Sequence, residues 1–286
     1  MRIAVVGSGI AGLSAAWLLS RRHQVTLFEA EDRLGGHTHT VDVSLEGQTF
    51  PVDTGFLVFN HRTYPELTRL FDTLGVETVA SDMSFSVRLD RPELEWAGSS
   101  LGTVFGQHRN LARPAFWSML RDILRFNREA VREPALASSM ALGDYLRARS
   151  YGKPFIEWYL LPMAAAIWSC PASQMLEFPL SSFVTFCRNH GLLQVFDRPQ
   201  WRTVKGGGRE YVKKLAAGVG EIHLGQPVES LRPRSGRIEV ASGSLSGVYD
   251  QVVLACHSDQ SHALLAEHYP SQARLLQQMP DQPNRT

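Results

Sequence analysis

Residues 2–29 read RIAVVGSGIAGLSAAWLLSRRHQVTLFE, and this stretch decides the fold. The apolar run at 2–6 predicts a short buried strand, and residues 10–21, with apolar side chains three and four apart, predict a helix. Residues 24–28 predict a second strand. A strand, a glycine loop, a helix and a strand within about 30 residues form a βαβ unit with two parallel strands.

The loop between the first strand and the helix contains Gly7, Gly9 and Gly12 in a G-x-G-x-x-G pattern. In such a loop Gly7 permits the tight turn, Gly9 lets the backbone approach a pyrophosphate, and Gly12 lets the helix pack closely on the strand. The helix N-terminus adds unpaired N–H groups and the positive end of its dipole. The pattern predicts a dinucleotide site, but by itself it leaves NAD and FAD open.

Glu29 ends the second strand, 20 residues after Gly9. A carboxylate at this place accepts hydrogen bonds from the hydroxyls of an adenosine ribose, and it disfavours a 2′-phosphate and hence NADP. The alternative interpretation is an ordinary surface Glu at a strand end. A second glycine pair, Gly35-Gly36, follows at once and gives another close backbone approach to the pyrophosphate. An NAD domain does not usually need this pair, so it favours FAD.

The run Glu29–Gly36, E-A-x-x-R-x-G-G, resembles the N-terminal motif of the flavin-containing amine oxidase superfamily. In that group Arg usually follows the glycine pair, whereas this chain has His37. The runs DTGFLVFN at 53–60 and TVKGGG at 203–208 are similar to a bacterial branch of predicted NAD/FAD-binding oxidoreductases. The resemblance covers nearly the whole chain.

The resemblance implies FAD as the cofactor and assigns eleven residues to it. Five would hold the ADP moiety: Gly7, Gly9, Ala11, Gly12 and Glu29. Four would line the pyrophosphate and ribityl side: Gly35, Gly36, His37 and Thr38. Gly55 would approach the flavin, and Val228, on a strand edge, would pair its backbone with the adenine unless it is a core strand residue. The glycines at 206–208 are either a flavin-side loop or, as we favour, the lead-in to a helix.

The whole chain predicts an α/β fold, a Rossmann-like FAD-binding domain of the glutathione-reductase type with an inserted, largely helical substrate domain. The discontinuous FAD-binding domain would comprise 1–80 and 201–260, and the substrate domain 81–200. The insert is expected to hold helices at 114–132, 142–149, 153–168 and 180–190. Other expected elements are a hairpin or two short strands within 40–59, helices at 64–75 and 209–219, a strand at 220–224, a hairpin at 226–242 and a buried strand at 249–255.

The C-terminal region predicts an incomplete member of the superfamily. Such flavoproteins return to the nucleotide domain near their end with a Gly-Asp pair and a glycine-rich helix start. No such segment follows the apolar run at 249–255, and Gly143-Asp144 stands in another context. We therefore expect residues 261–286 to be the start of a truncated C-terminal portion, and the chain to retain flavin weakly or not at all.

Composition excludes several other classes. The net charge of +1 gives no electrostatic reason to expect nucleic acid, and no apolar stretch is long enough to span a bilayer. Cys170, Cys187 and Cys256 show no metal-ligand spacing and predict reduced thiols, and we expect a cytoplasmic protein without a metal.

Several side chains are weaker candidates. His257 follows a predicted strand, where ligands gather in α/β folds, although a generic loop histidine is favoured. His190 is interpreted mainly as a helix-end residue. A set of aromatic residues could line an apolar substrate pocket, with helical core as the favoured interpretation: Trp96, Phe155, Trp158, Tyr159, Trp168, Phe183 and Phe186.

The resemblance implies an FAD-dependent oxidoreductase in which a hydride leaves a substrate C–H, of an amine or similar molecule, for flavin N5. One alternative is a desaturase or other redox enzyme acting on a lipid-like substrate, which the aromatic, Leu-rich insert suits. The related branch also resembles flavin domains found beside fatty-acyl-modifying methyltransferases. A truncated, non-catalytic remnant is the other alternative. The sequence identifies no catalytic acid or base and leaves the oligomeric state open.

Overall fold

The computed structural model describes residues 1–132, 140–168, 171–194 and 198–279. Its backbone divides into two compact units. The first unit comprises Met1–Asn60, Tyr64–Ser81 and the described residues from Trp201 onward, and the second comprises Asp82–Gln200 with His61–Thr63. The roles predicted for the two domains stay predictions.

The described residues form strands and helices in the following order. The strands are β1 (Arg2–Val6), β2 (Gln24–Phe28), β3 (Thr40–Leu45), β4 (Gln48–Asp53), β5 (Thr78–Ser81), β6 (Ser86–Asp90), β7 (Glu93–Ala97), β8 (Trp201–Val204), β9 (Glu221–His223), β10 (Ser230–Arg234), β11 (Arg237–Ser242), β12 (Leu245–Tyr249) and β13 (Gln251–Leu254). The helices are α1 (Ile10–Ser20), α2 (Pro65–Leu74), α3 (Leu101–Val104), α4 (Pro114–Glu129), α5 (Leu142–Ala148), α6 (Lys153–Phe155), α7 (Leu161–Trp168), α8 (Ala172–Glu177), α9 (Leu180–Asn189), α10 (Arg209–Ala216), α11 (Ser258–Leu265) and α12 (Pro270–Leu276).

A four-stranded parallel sheet, in the order β13-β1-β2-β9, forms the centre of the first unit. Its middle strand β1 pairs Val5 with Leu27 on one side and with Val253 on the other. Both faces of β1 are covered, because Ile3 and Val5 belong to one core cluster and Ala4 to another. Burial on two sides explains why β1 is continuously apolar. The predicted α/β, Rossmann-like fold is confirmed.

The predicted strand at 249–255 is wrong in its extent. Tyr249 ends β12, which belongs to an antiparallel sheet with β11, whereas β13 starts at Gln251 and runs parallel to β1. Asp250 lies between them, and its carboxylate accepts the Arg2 N–H at 2.8 Å while its own N–H donates to the Arg2 carbonyl at 2.8 Å. The chain therefore changes strand partners at Asp250, which the apolar run does not reveal.

Helix ends differ from the prediction by one to three residues. The largest differences are α4, which ends at Glu129, and α10, which ends at Ala216. The stop of α2 is confirmed, because Gly75 takes the left-handed conformation (φ 62°) that closes a helix. The hairpin β3–β4 lies within the predicted segment, and β10 and β11 form the other predicted hairpin.

The second unit is built around packed rings, and every residue of the aromatic set belongs to its core or packs against it. A hairpin of β6 and β7 also contributes, so this unit is less purely helical than expected. Residues 156–160 form a π-helical segment between α6 and α7. Pro162 lacks the N–H that would reach the Trp158 carbonyl, and the Trp96 indole N–H donates to that carbonyl at 3.3 Å instead.

In the part of the chain that is described, no helix combines the length and the apolar character needed to cross a bilayer.

Candidate cofactor site

A cavity of about 500 Å³ lies where β1, β2 and β13 end, and the residues that follow these strands form its wall. This is the edge of a parallel sheet at which α/β folds bind ligands. It lies next to the central strand β1, whose two neighbours, β2 and β13, both follow it in the chain. Its volume falls in the usual range for small-molecule sites, about 300–1,000 Å³. All lining residues belong to the first unit.

The glycine loop forms one wall of the cavity. The Gly7 N–H donates to the Phe28 carbonyl at 2.8 Å, which ties the end of β1 to β2. A Cβ on Gly12 would lie 1.8 Å from the Gly7 carbonyl oxygen, so α1 approaches the loop as only glycine permits. A Cβ on Gly9 would meet no atom within 4 Å. Gly9 therefore leaves a space in which a ligand can approach the protein backbone.

Glu29 is buried, with 8% of its surface exposed, and it still lines the cavity. The Ser8 N–H donates to Glu29 Oε2 at 2.7 Å, and the Glu31 N–H donates to Oε1 at 2.9 Å. Two backbone donors thus fix the carboxylate in place. Each carboxylate oxygen can accept further hydrogen bonds from a ligand hydroxyl.

The second glycine pair is attached to the glycine loop. The Gly35 N–H donates to the Ser8 carbonyl at 3.1 Å, and a Cβ on Gly36 would lie 3.0 Å from Gly9 Cα. The Arg33 guanidinium donates to the Gly36 carbonyl at 3.0 Å. The two glycine motifs therefore form one continuous backbone surface.

Six of the eleven predicted residues line the cavity, and five do not. Those that line it are Gly7, Gly9, Glu29, Gly36, His37 and Val228. Val228 lies outside a strand, two residues before β10, so its predicted place on a strand edge is wrong.

The other five residues lie outside the cavity wall. Ala11 is exposed on the first turn of α1, and Gly12 and Gly35 are buried by close backbone packing. Thr38 was predicted to line the pyrophosphate side, but its hydroxyl is buried and hydrogen-bonded to the Tyr211 hydroxyl. A Cβ on Gly55 would lie 1.7 Å from the His37 carbonyl oxygen, so Gly55 supports the segment that carries His37.

The three glycines at 206–208 lead into α10, as favoured. Gly208 is the N-cap of that helix, and its N–H donates to Asp53 Oδ1 at 2.9 Å. The same oxygen accepts the Thr40 hydroxyl at 2.5 Å. Asp53, the first residue of the DTG run, therefore holds the β3–β4 hairpin against the start of α10.

Apart from Val228 and the weaker candidate His257, the sequence does not identify the rest of the cavity wall. This part of the wall includes Gln226, Pro227, Glu229, Ala255, Cys256, His257 and, from α11, Gln260, Ala263 and Leu264. The His257 ring stacks on that of His37, with centroids 5.4 Å apart and planes 24° apart. The position of His257 directly after the apolar run at the end of the sheet was the signal available.

His190 has a structural setting. It caps the C-terminus of α9, its ring stacks on Phe186 at 3.9 Å, and its Nδ1 lies 2.9 Å from the Phe186 carbonyl oxygen. Cys187 is buried in the second core, and burial raises the pKa of its thiol to about 12. Cys256 is half-buried, and Cys170 lies outside the described residues. Within the described ranges, no three His, Cys, Asp or Glu side chains cluster as a metal site.

Comparison with known proteins identifies one matching family. The family model described as flavin containing amine oxidoreductase matches residues 10–282. Polyamine oxidase 3 of Oryza sativa subsp. japonica is 26% identical over 262 residues, which cover 88% of this chain and 50% of the relative. Carotenoid phi-ring synthase of Streptomyces griseus is 36% identical over 138 residues, 45% of this chain and 25% of the relative.

Solved structures show the same fold. A putrescine oxidase variant superposes with a TM-score of 0.72 at 20% identity, covering 97% of this chain and 63% of that one. At this identity the likeness concerns the fold alone. The chain spans half the length of polyamine oxidase 3 and a quarter of carotenoid phi-ring synthase.

Proposed function

The chain belongs to the flavin-containing amine oxidoreductase family, and from this premise we propose that it binds FAD in the cavity of the first unit and acts as an oxidoreductase on a substrate C–H. The resemblance of its N-terminal motif to this family is thereby confirmed. The observation that carries the proposal is the presence, in one cavity, of the buried Glu29 carboxylate and the continuous backbone surface of Gly9 and Gly36. Together they match the ribose and the pyrophosphate of one ADP moiety.

The residues of the cavity fit this cofactor. Glu29 presents two fixed acceptor oxygens, which suit the two hydroxyls of a ribose and would repel a 2′-phosphate. Gly9 leaves space where any other residue would place a Cβ. The N-terminus of α1, which begins directly after Gly9, adds the positive end of a helix dipole.

We assign the roles of the lining residues accordingly. Glu29 would bind the adenosine ribose, the Gly7–Gly9 loop with Gly36 would hold the pyrophosphate, and Val228 would present its backbone to the adenine. Bound FAD supplies the redox chemistry of this class, acceptance of a hydride from a substrate C–H at flavin N5. The protein's own part is to position the cofactor and the substrate and to exclude water. No described side chain is assigned as a catalytic acid or base.

We propose an amine as the substrate, since the polyamine oxidase relative aligns over most of this chain. A lipid-like or polyene substrate is the second candidate. It is supported by the match to carotenoid phi-ring synthase over 138 residues and by the apolar, ring-rich second unit, which we infer to be the substrate domain. In this family one fold hosts more than one chemistry, so the fold alone does not choose between them.

Titration of the purified full chain with FAD, followed by flavin fluorescence, tests the cofactor. We expect FAD to bind saturably. FMN, which lacks the adenosine part, is not expected to displace it. Absence of saturable FAD binding, or equal competition by FMN, would contradict the proposed site.

Anaerobic mixing of the FAD-loaded chain with candidate substrates tests the reaction. Loss of flavin absorbance near about 450 nm with amines, but not with acyl lipids or carotenoid polyenes, is the expected result. Reduction by the apolar substrates alone would favour the second candidate. Bound flavin that dithionite reduces and no substrate reduces would indicate a protein that only binds the nucleotide.

A further inference from the structure

Two histidines at the cavity, His37 and His257, form one stacked unit, here termed the imidazole pair. Their ring centroids lie 5.4 Å apart and their planes differ by 24°. Both residues are exposed and both line the cavity. His37 follows the second glycine pair and His257 follows β13, so two separate segments of the chain bring the rings together.

The imidazole pair flanks the glycine loop. Gly36, the neighbour of His37, approaches the loop so closely that a Cβ on it would lie 3.0 Å from Gly9 Cα. Cys256, the neighbour of His257, has its N atom 3.2 Å from the place where a Cβ on Gly7 would lie. The segments that carry both rings therefore border the loop to which we assign the pyrophosphate.

The charge of the cavity wall is otherwise negative. Three of the described lining residues are acidic, namely Glu29, Glu31 and Glu229. No described lining residue is Lys or Arg. A pyrophosphate diester carries two negative charges, which the backbone N–H groups and the α1 dipole meet only with partial charges. Among the described lining side chains, the two imidazoles are the ones that can become cations near neutral pH.

We propose that the imidazole pair, in its protonated form, binds the pyrophosphate of FAD, and that the affinity for FAD therefore falls as the pH rises. This inference rests on the FAD site proposed above. Two cations at this separation repel each other, and a dianion beside them removes that repulsion. Protonation of the pair and binding of the pyrophosphate thus favour each other, and both are lost together as histidine loses its charge.

The other titratable groups around the pair are known and provide internal controls. Glu29, Glu31, Glu229 and Cys256 line the same cavity. Asp259 stands in the first turn of α11, where its Oδ1 accepts the Gln260 N–H at 2.7 Å, and Arg33 donates to the Gly36 carbonyl at 3.0 Å. Any pH dependence that comes from these groups persists when both histidines are replaced.

The experiment measures the Kd of the full chain for FAD from about pH 5.5 to about pH 8.5, with adenosine as the reference ligand. The FAD pyrophosphate is a diester and does not titrate in this range. We expect the Kd for FAD to rise about tenfold across the range, the size of one charge-assisted contact. The Kd for adenosine, which lacks phosphate, stays constant.

Substitutions separate the pair from its surroundings. The double variant His37→Gln with His257→Gln is expected to bind FAD weakly and without pH dependence, whereas His37→Arg keeps tight binding at the alkaline end. His39→Gln and His262→Gln are the matched controls and retain the wild-type slope. Neither control residue lines the cavity, since His39 Nδ1 lies 3.0 Å from Thr54 Oγ1 and His262 Nε2 lies 2.9 Å from Gln277 Nε2.

The outcomes are distinguishable. FAD binding with a constant Kd, a slope that persists in the double variant, or an equal slope with adenosine would each overturn the role of the imidazole pair and leave the FAD site standing. Failure to bind FAD at every pH would overturn both proposals. Far-UV circular dichroism of each variant, expected to match the wild type, shows that lost affinity does not come from unfolding.

Discussion

The two units of this protein use their side chains in opposite ways. In the first unit the wall of the cavity at the glycine loop is formed by backbone, and its key positions are glycines and a carboxylate held by two N–H groups. In the second unit the centre consists of aromatic rings packed against one another, with Phe126 touching Tyr145, Tyr151, Phe155 and Phe183. A site built from backbone leaves a recognisable spacing of residues in the sequence, whereas a core built from aromatic rings leaves mainly an aromatic-rich composition.

The largest expected effect comes from adding a side chain at Gly12. Its Cβ would lie 1.8 Å from the Gly7 carbonyl oxygen, so Gly12→Val forces α1 away from the loop. We expect the free energy of unfolding to fall by about 5 kcal/mol or the chain to fail to fold. The matched control is Gly9→Val, because a Cβ there meets no atom.

Urea unfolding followed by circular dichroism compares these two variants. Gly9→Val is expected to keep the wild-type stability within about 1 kcal/mol and to lose FAD binding, since the new side chain fills the cavity. Equal stabilities of both valine variants would show that the backbone contact at Gly12 is unimportant. That result would contradict the description of the first unit as built on close backbone packing.

The next effect tests the second unit. Phe126 is 1% exposed, and Phe126→Ala would leave a cavity among its four ring neighbours. We expect a loss of about 3–4 kcal/mol in the free energy of unfolding. Phe126→Leu, which keeps most of the volume, should cost about 1 kcal/mol. An alanine variant as stable as the wild type would contradict the packed-ring description.

A smaller effect is expected at Glu29. In the wild type, one carboxylate oxygen of Glu29 accepts the Ser8 N–H and the other accepts the Glu31 N–H. In Glu29→Gln one of these oxygens is replaced by an amide NH₂, which would face an N–H donor instead of accepting from it. The lost charge-assisted bonds should weaken FAD binding by about 2 kcal/mol, roughly thirtyfold in Kd. Glu31→Gln is the control, since Glu31 also lines the cavity but is exposed, and its FAD Kd should change less than about threefold. Equal losses in the two variants would refute the special role of Glu29.

The smallest effect concerns the two described thiols, Cys187 in the second unit and Cys256 in the first. Burial raises the pKa of Cys187 to about 12, so this thiol stays protonated and unreactive in the folded chain at pH 8. Cys256 is half-buried at the cavity, and FAD is expected to slow its alkylation a few-fold. A Cys170→Ser variant is treated with iodoacetamide, with and without FAD. Peptide mass mapping then measures the alkylation of Cys187 and of Cys256. Faster labelling of Cys187 than of Cys256 would contradict the prediction.

The sequence revealed the first unit best where conformation is set locally. β1, α1 and β2 were predicted because a glycine spacing and an apolar run lie within 28 residues, and Glu29 follows from the same spacing. The wall formed by the residues after β13 and on α11 is not evident from the sequence, because β13 reaches the site by pairing with β1 and α11 follows β13 in the chain. No local pattern marks Asp250 as the point where the chain changes partners.

In the second unit the missed hairpin had a signal. Val87 and Leu89 alternate with charged residues before the turn, and Leu94 and Trp96 alternate after it. This period of two is typical of a strand with one buried face. The surrounding aromatic and Leu-rich composition outweighed it, because composition favours a helical core but does not fix the period. Which rings meet is decided by packing between distant segments, and sequence spacing carries no record of that.

The order of strands in the parallel sheet has a consequence for synthesis on the ribosome. β1 emerges first, and β2 follows soon after, but Arg2 meets its partner Asp250 only across 248 residues of chain. At about 5–20 residues per second, β1 waits on the order of ten seconds or more with one edge unpaired. The residues of the second unit emerge together during that interval. An unpaired edge strand is a template for aggregation, so the nascent chain is most exposed to misassembly before β13 arrives. The segment that is translated first is thus among the last to be completed.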